Sequence, residues 1–334
     1  MSTYPVLTLP PEVVSEIFEN FLPTYPRRPA LLGIFSPLFL CRICRQWRQI
    51  AISTPTLWRA VSMELQEAEP QETEKIAWKL RLLTTWLSRS GQCPLSLYLY
   101  SRVEPGSPLT PYPILSQFLD ALVLHCKRWE HVELVMPVEH LHVIRGRDMP
   151  LLRDLTFGPS AFRPGYKPPL TLFDRAPQLT NVVLTESFVP ASLCLPWAQL
   201  THLEAHCLYE DECAQILTYA TNLVDCTFAV CDGAEEVPDC AVPVLPYLQR
   251  FILLHIAETW DISLARMLGN VRLPALRTLQ VSELFLEPDP LSSLKTLIAR
   301  SQCTLDELHI DDASLSESVY REAFQSIELT VVPS

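Results

Sequence analysis

One six-residue unit returns throughout the C-terminal two thirds of this 334-residue chain: leucine, two residues, an apolar residue, one residue, an apolar residue. Clear copies start at Leu152, Leu179, Leu200, Leu223, Leu248, Leu276 and Leu305, with a divergent one at Trp129, and successive starts lie 21 to 29 residues apart. Each copy reads as a short strand with two inward apolar residues, which it cannot bury alone; neighbouring copies must stack to make a core. Helical patterns at Asp211–Ala220, Asp261–Leu268 and Leu291–Arg300 separate several copies. The third and fifth positions of each unit alternate away from the core side.

The period falls in the leucine-rich-repeat range. The regular asparagine of ideal repeats is missing, so an irregular solenoid is expected over 114–334, in the α/β class. An ordinary α/β domain with evenly spaced strands is the competing reading. The outward third and fifth positions are His131 and Glu133, Asp154 and Thr156, Asn181 and Val183, His202 and Glu204, Asp225 and Thr227, Arg250 and Ile252, Thr278 and Gln280, Glu307 and His309. Five are carboxylates and one is arginine, a mildly acidic face suited to a basic or arginine-bearing protein target. The polar candidates for that contact are His131, Glu133, Asp154, His202, Glu204, Asp225, Arg250, Glu307 and His309. Loops at 158–169 and 231–240 are further candidates, since loops on a rigid scaffold often carry binding.

Upstream, residues 9–58 read LPPEVVSEIFENFLPTYPRRPALLGIFSPLFLCRICRQWRQIAISTPTLW. Pro10 and Pro11 suit a first helical turn, with Thr8 a candidate cap. Val13, Val14, Ile17, Phe18, Phe21 and Leu22 then recur at helical spacing, until Pro23 and Pro26. A second helix is expected over 38–52. About 50 residues sit near the lower limit for a self-sufficient core, so surplus apolar faces point to a partner. The pattern Leu9-Pro10-x-Glu12-Val13-Val14-x-x-Ile17-Phe18, then Ile43-Cys44-Arg45-Gln46-Trp47-Arg48-x-Ile50-Ala51, then Pro55-x-Leu57-Trp58, resembles an F-box, and more narrowly the F-box-like proteins abundant in mushroom-forming fungi. Two departures are the insert Thr24–Pro29 and Val13 where leucine is commoner. The resemblance implies a small all-helical F-box module over residues 1–61 that docks a Skp-family adaptor, and through it a cullin-RING ligase. Docking is assigned to Leu9, Pro10, Val13, Ile17, Phe18, Ile43, Cys44, Trp47, Leu57 and Trp58.

Between module and repeats, residues 62–113 are expected to hold a hinge (62–74), a helix (75–90, closed by Gly91), a first strand (94–100) and a proline-rich loop (101–113). Another helix is expected over 114–128. The chain opens without a basic n-region, no stretch approaches a bilayer span, and eleven cysteines lie mainly in apolar surroundings, so a reduced cytoplasmic or nuclear location is expected. A net charge of −12 disfavours nucleic acid, although residues 1–61 carry six arginines against three glutamates.

No catalytic device stands out. The eight glycines form neither GxGxxG nor a P-loop, and no GxSxG turn occurs. Cys41-x-x-Cys44 lacks a second pair and reads as core packing. His202, Glu204 and His206 would share one strand face, a set that can ligate a metal, but they are also ordinary outward positions. The expected function is a non-enzymatic substrate-recognition subunit of an SCF-type ubiquitin ligase, without cofactor or metal. A non-degradative scaffold is the alternative, and a metal-dependent hydrolase at His202/His206 a remote one.

Overall fold

A computed structural model of the chain describes residues 8–65, 73–101, 113–159, 172–185, 195–231, 243–256, 266–269 and 271–333. Among them the strands form an eleven-stranded, all-parallel sheet in the order of the sequence. Parallel neighbours cannot be joined by a tight turn, so helices and 3-10 turns fill the crossovers. The expected architecture, a small helical F-box module followed by an irregular repeat solenoid, is therefore overturned: this is an α/β fold on a parallel sheet. The physical reason lies in residues 60–65. Where the sequence suggested the end of a helical module and the start of a hinge, Ala60–Leu65 forms strand β1, with Val61, Met63 and Leu65 buried. The N-terminal helices thus run straight into the sheet. Residues 160–169 and 232–240 of the two expected loops, residues 102–112 of the 101–113 loop, residues 66–72 of the hinge and residues 261–265 of a helix lie outside the described residues, while residues 158 and 159 belong to a strand.

The chain divides into two compact units, Met1–Gly165 with Leu172–Gln178, and Tyr166–Thr171 with Leu179–Ser334. The first unit begins with α1 (Pro11–Phe21), α2 (Pro37–Leu40), α3 (Arg45–Ser53) and a 3-10 turn, Pro55–Trp58. The single helix expected over 38–52 is broken. Cys44 is extended (φ −154°, ψ 173°), and its Sγ accepts the Trp47 N–H at 3.4 Å, so this sulfur caps α3. Cys41 is buried, and burial pushes its thiol pKa up. After β1 come α4 (Thr73–Arg89), β2 (Leu95–Ser101), α5 (Pro113–Val123), β3 (Trp129–Met136) and β4 (Asp154–Pro159). Leu97, Leu99, Val132, Leu134, Leu155 and Phe157 point into the core and are essentially inaccessible. Trp58 and Trp86 are equally buried, and their rings pack edge to face at 5.1 Å.

Arg128 is buried among these elements and caps the end of α4. Its guanidinium donates to the Gly91 carbonyl, to Ser90 Oγ at 2.9 Å and to the Leu87 carbonyl at 3.4 Å. Orphan carbonyls at a helix C-terminus need donors, and a cation there complements the dipole. Burial lowers the Arg128 pKa from its ordinary value, yet an arginine stays charged at neutral pH. Arg128→Met is expected to cost about 2–4 kcal/mol by removing charge-assisted bonds. A circular-dichroism melt checks this, and an unchanged midpoint would remove the cap from the stability argument.

The second unit contains β5 (Asn181–Leu184), β6 (His202–Leu208), α6 (Glu210–Tyr219), β7 (Asp225–Val230), β8 (Arg250–His255), α7 (Arg266–Gly269), β9 (Thr278–Ser282), α8 (Pro290–Ser301), β10 (Glu307–Ala313), α9 (Glu317–Ala323) and β11 (Glu328–Pro333). Leu203, Phe228, Phe251, Leu279, Val281, Leu308 and Ile310 line its core. Cys213 and Cys226 are fully buried, and burial raises both thiol pKa values well above the ordinary one, so these sulfurs are protonated packing groups. Buried Glu283 accepts the Ser314 N–H at 3.1 Å and the Tyr320 hydroxyl at 2.8 Å, which ties α9 to the turn after β9. No helix among the described residues is long and apolar enough to cross a membrane.

Candidate functional site: an apolar helical surface and a polar sheet face

The apolar side of α1 carries two rows of side chains, one turned inward and one left exposed. Val14, Phe18 and Leu22 turn inward. Val13, Ile17 and Phe21, one turn apart in a row, stay exposed, with Ile17 at 45%. The segment before α2 extends this surface. Ile34 and Phe35 are 60% and 53% exposed, and the Phe21 ring lies 6.0 Å from Phe35 and 6.5 Å from Phe39. An open depression of about 420 Å³ along α1 is lined by Val13, Ile17 and Phe21 together with Glu16 and Asn20. Exposed aromatic and branched side chains clustered this way on a small segment mark an interaction surface.

The ten residues assigned to docking from the sequence divide accordingly. Pro10, Val13, Ile17 and Ile43 are exposed, and Leu9 is half-buried. Cys44 and Trp47 are half-buried, and Trp47 meets Phe18 edge to face at 5.0 Å. Phe18, Leu57 and Trp58 are core: Trp58 is 1% exposed, and its Nε1–H donates to the Ala51 carbonyl at 2.7 Å. Leu32, Ile34, Phe35 and Phe39 were not among the ten. Their signal was the apolar run 31–40, broken by Ser36-Pro37, which excludes a long buried helix and leaves a surface turn.

The outward positions form straight rows because the strands keep parallel register. In the first unit one row pairs Ala60 with Ser96, then Ser96 with His131 and His131 with Asp154; the next pairs Ser62 with Tyr98, then Glu133, then Thr156. In the second unit Asn181, His202, Asp225, Arg250, Thr278 and Glu307 form one row, and Val183, Glu204, Thr227, Ile252, Gln280 and His309 the other. Val183, half-buried, and Ile252, buried, are the apolar members of the second unit's rows.

In the first unit the insert Thr24–Pro29 already occupies part of this face. The Tyr25 hydroxyl donates to Glu130 at 2.5 Å, and its ring meets His131 at 5.3 Å. Burial, then the bond to Glu130, pushes the Tyr25 hydroxyl pKa far up. Arg28 donates from Nε to Ser96 Oγ at 2.8 Å and from Nη1 to Glu133 at 2.9 Å, while Ser96 Oγ donates to the Pro26 carbonyl at 2.6 Å. His131 also contacts Asp154. Thus His131, Glu133 and Asp154 are engaged within the chain.

In the second unit the polar groups pair more loosely. His206 Nε2 is 2.8 Å from Glu204, Arg250 3.6 Å from Asp225, and Thr278 donates to Glu307 at 3.3 Å. His309 lies 3.9 Å from Glu307. His202 sits 2.9 Å from the Thr201 hydroxyl. Among the described residues no group of three or more histidine, cysteine, aspartate or glutamate side chains is placed to hold a metal ion.

Comparison with known proteins returns no match, neither to a protein-family model nor to a curated protein.

Proposed function

We propose that this protein is a non-enzymatic adaptor that recruits a target protein to an SCF-type ubiquitin ligase. The exposed apolar row on α1, continued by Ile34, Phe35 and Phe39, carries this reading. It lies on the segment whose residues resemble an F-box, and it supplies the docking face for a Skp-family adaptor. The polar sheet face then holds the target. Such a protein accelerates transfer by position alone: a target lysine held near a charged carrier meets it at a high effective concentration. The compartment that fits is cytoplasmic or nuclear, where cullin-RING ligases act and free thiols persist.

The test is co-expression of the intact chain with a fungal Skp-family adaptor, followed by pull-down and size-exclusion chromatography. A one-to-one complex is expected. A folded, soluble chain that elutes alone would defeat the proposal.

A further inference from the structure

The first unit's sheet face carries a second patch that the insert leaves open. Tyr98 and Tyr100 sit two residues apart on β2, so their rings project from the same face. The rings stack with centroids 6.5 Å apart and planes 6° from parallel. Both are half-exposed, whereas Leu97 and Leu99 between and before them are buried. Each tyrosine has a carboxylate in register on a neighbouring strand: Glu64 of β1 faces Tyr100, and Glu133 of β3 faces Tyr98. Neighbouring strands are about 4.8 Å apart, so the carboxylates flank the ring pair on both sides. Glu64 is exposed and makes no ion pair among the described residues. Both carboxylates act on the Tyr98 hydroxyl, whose pKa is raised first by burial, then by Glu64 and Glu133, with Arg28 opposing.

Two guanidinium groups of the same chain show what this chemistry accepts. Arg28 binds Glu133 and Ser96 beside the patch, and Arg59 lies over the Tyr25 ring at 4.1 Å from its centroid. Planar guanidinium groups stack on aromatic faces while their edges donate to carboxylates; a lysine ammonium does only part of this.

The geometry points to the Tyr98–Tyr100 pair, with Glu64 and Glu133, as a binding site for an arginine side chain presented by a target protein. This rests on the reading that the polar sheet face holds the target. The target's guanidinium stacks on the ring pair and donates to Glu64, while Arg28 keeps Glu133 oriented.

The test uses the full chain and a fluorescein-labelled peptide of alternating serine and arginine, read by fluorescence anisotropy at low salt. The counterpart peptides carry lysine, or citrulline, which keeps the shape without the charge. The arginine peptide is expected to bind, the lysine peptide several-fold more weakly, and the citrulline peptide at least about tenfold more weakly. Tyr98→Ala with Tyr100→Ala is expected to weaken arginine-peptide binding at least about tenfold. Glu64→Gln, at an exposed position that folding does not require, is expected to weaken it several-fold. No binding by the unaltered chain, equal binding of the citrulline peptide, or full affinity in Glu64→Gln would each overturn the site. Skp-family adaptor binding, measured on the same preparations, uses the other surface. Its loss with peptide binding kept would defeat the ligase reading and leave the arginine site standing, and the reverse pattern would do the opposite.

Discussion

Trp58→Ala is expected to destabilise the first unit by about 3–5 kcal/mol, the range for deleting a buried large aromatic side chain. Trp58 is 1% exposed, packs edge to face on Trp86, donates to the Ala51 carbonyl and lies 4.5 Å beneath the Arg89 guanidinium. The substitution removes all three contacts and leaves a cavity between the N-terminal helices and α4. In a unit of this size the thermal midpoint should fall on the order of 10 °C. Differential scanning calorimetry of the full chain is the measurement. If the midpoint stays put while adaptor binding disappears, Trp58 faces a partner after all, and the packing described above is wrong.

Ile17→Asp combined with Ile34→Asp should do the opposite. Both side chains are exposed, so the melt should hold within about a degree, since surface changes away from special features cost little. At the proposed interface each is an apolar anchor worth ~2 kcal/mol or more, and each new carboxylate would be desolvated without a partner. The pair should lower adaptor affinity at least about 100-fold, because every 1.4 kcal/mol is a factor of ten. Calorimetric titration with the purified adaptor is the check, and unchanged affinity would remove this surface from the docking role.

These two residues types show where sequence pattern stops being informative. Periodicity in α1 marks Val13, Val14, Ile17, Phe18, Phe21 and Leu22 alike, because all six share one broad apolar side of the helix. Only the packing of Phe18 against Trp47 decides which row is inside. Strand positions were far more legible. Segments at 94–100, 129–134, 152–157, 179–184, 200–205, 223–228, 248–253, 276–281 and 305–310 all overlap strands, since period-two alternation is a local signal. Strand β1 escaped because Ala60–Leu65 leads straight into an acidic stretch, and β11 because Glu328–Pro333 follows the last leucine unit. The continuity of the sheet is a property of pairings between successive strands across their crossovers, and no pattern within one strand encodes it. The insert is the same kind of case. Tyr25 and Arg28 find Glu130 and Glu133 across 105 residues of chain, so a stretch that looked like a lengthened connection is a contact with the sheet.

That contact has a consequence for modularity. Here a cut after Trp58 would separate Trp58 from Trp86, Tyr25 from Glu130 and Arg28 from both Ser96 and Glu133. It would also strip Ala30 of its bridge to Ser62 in β1. Each severed group was desolvated by a neighbour on the far side of the cut, so an excised fragment would expose a tryptophan and strand paired groups without their mates. A graft that keeps the N-terminal segment folded would have to carry the chain through β3 along with it, and its boundary would fall inside the sheet.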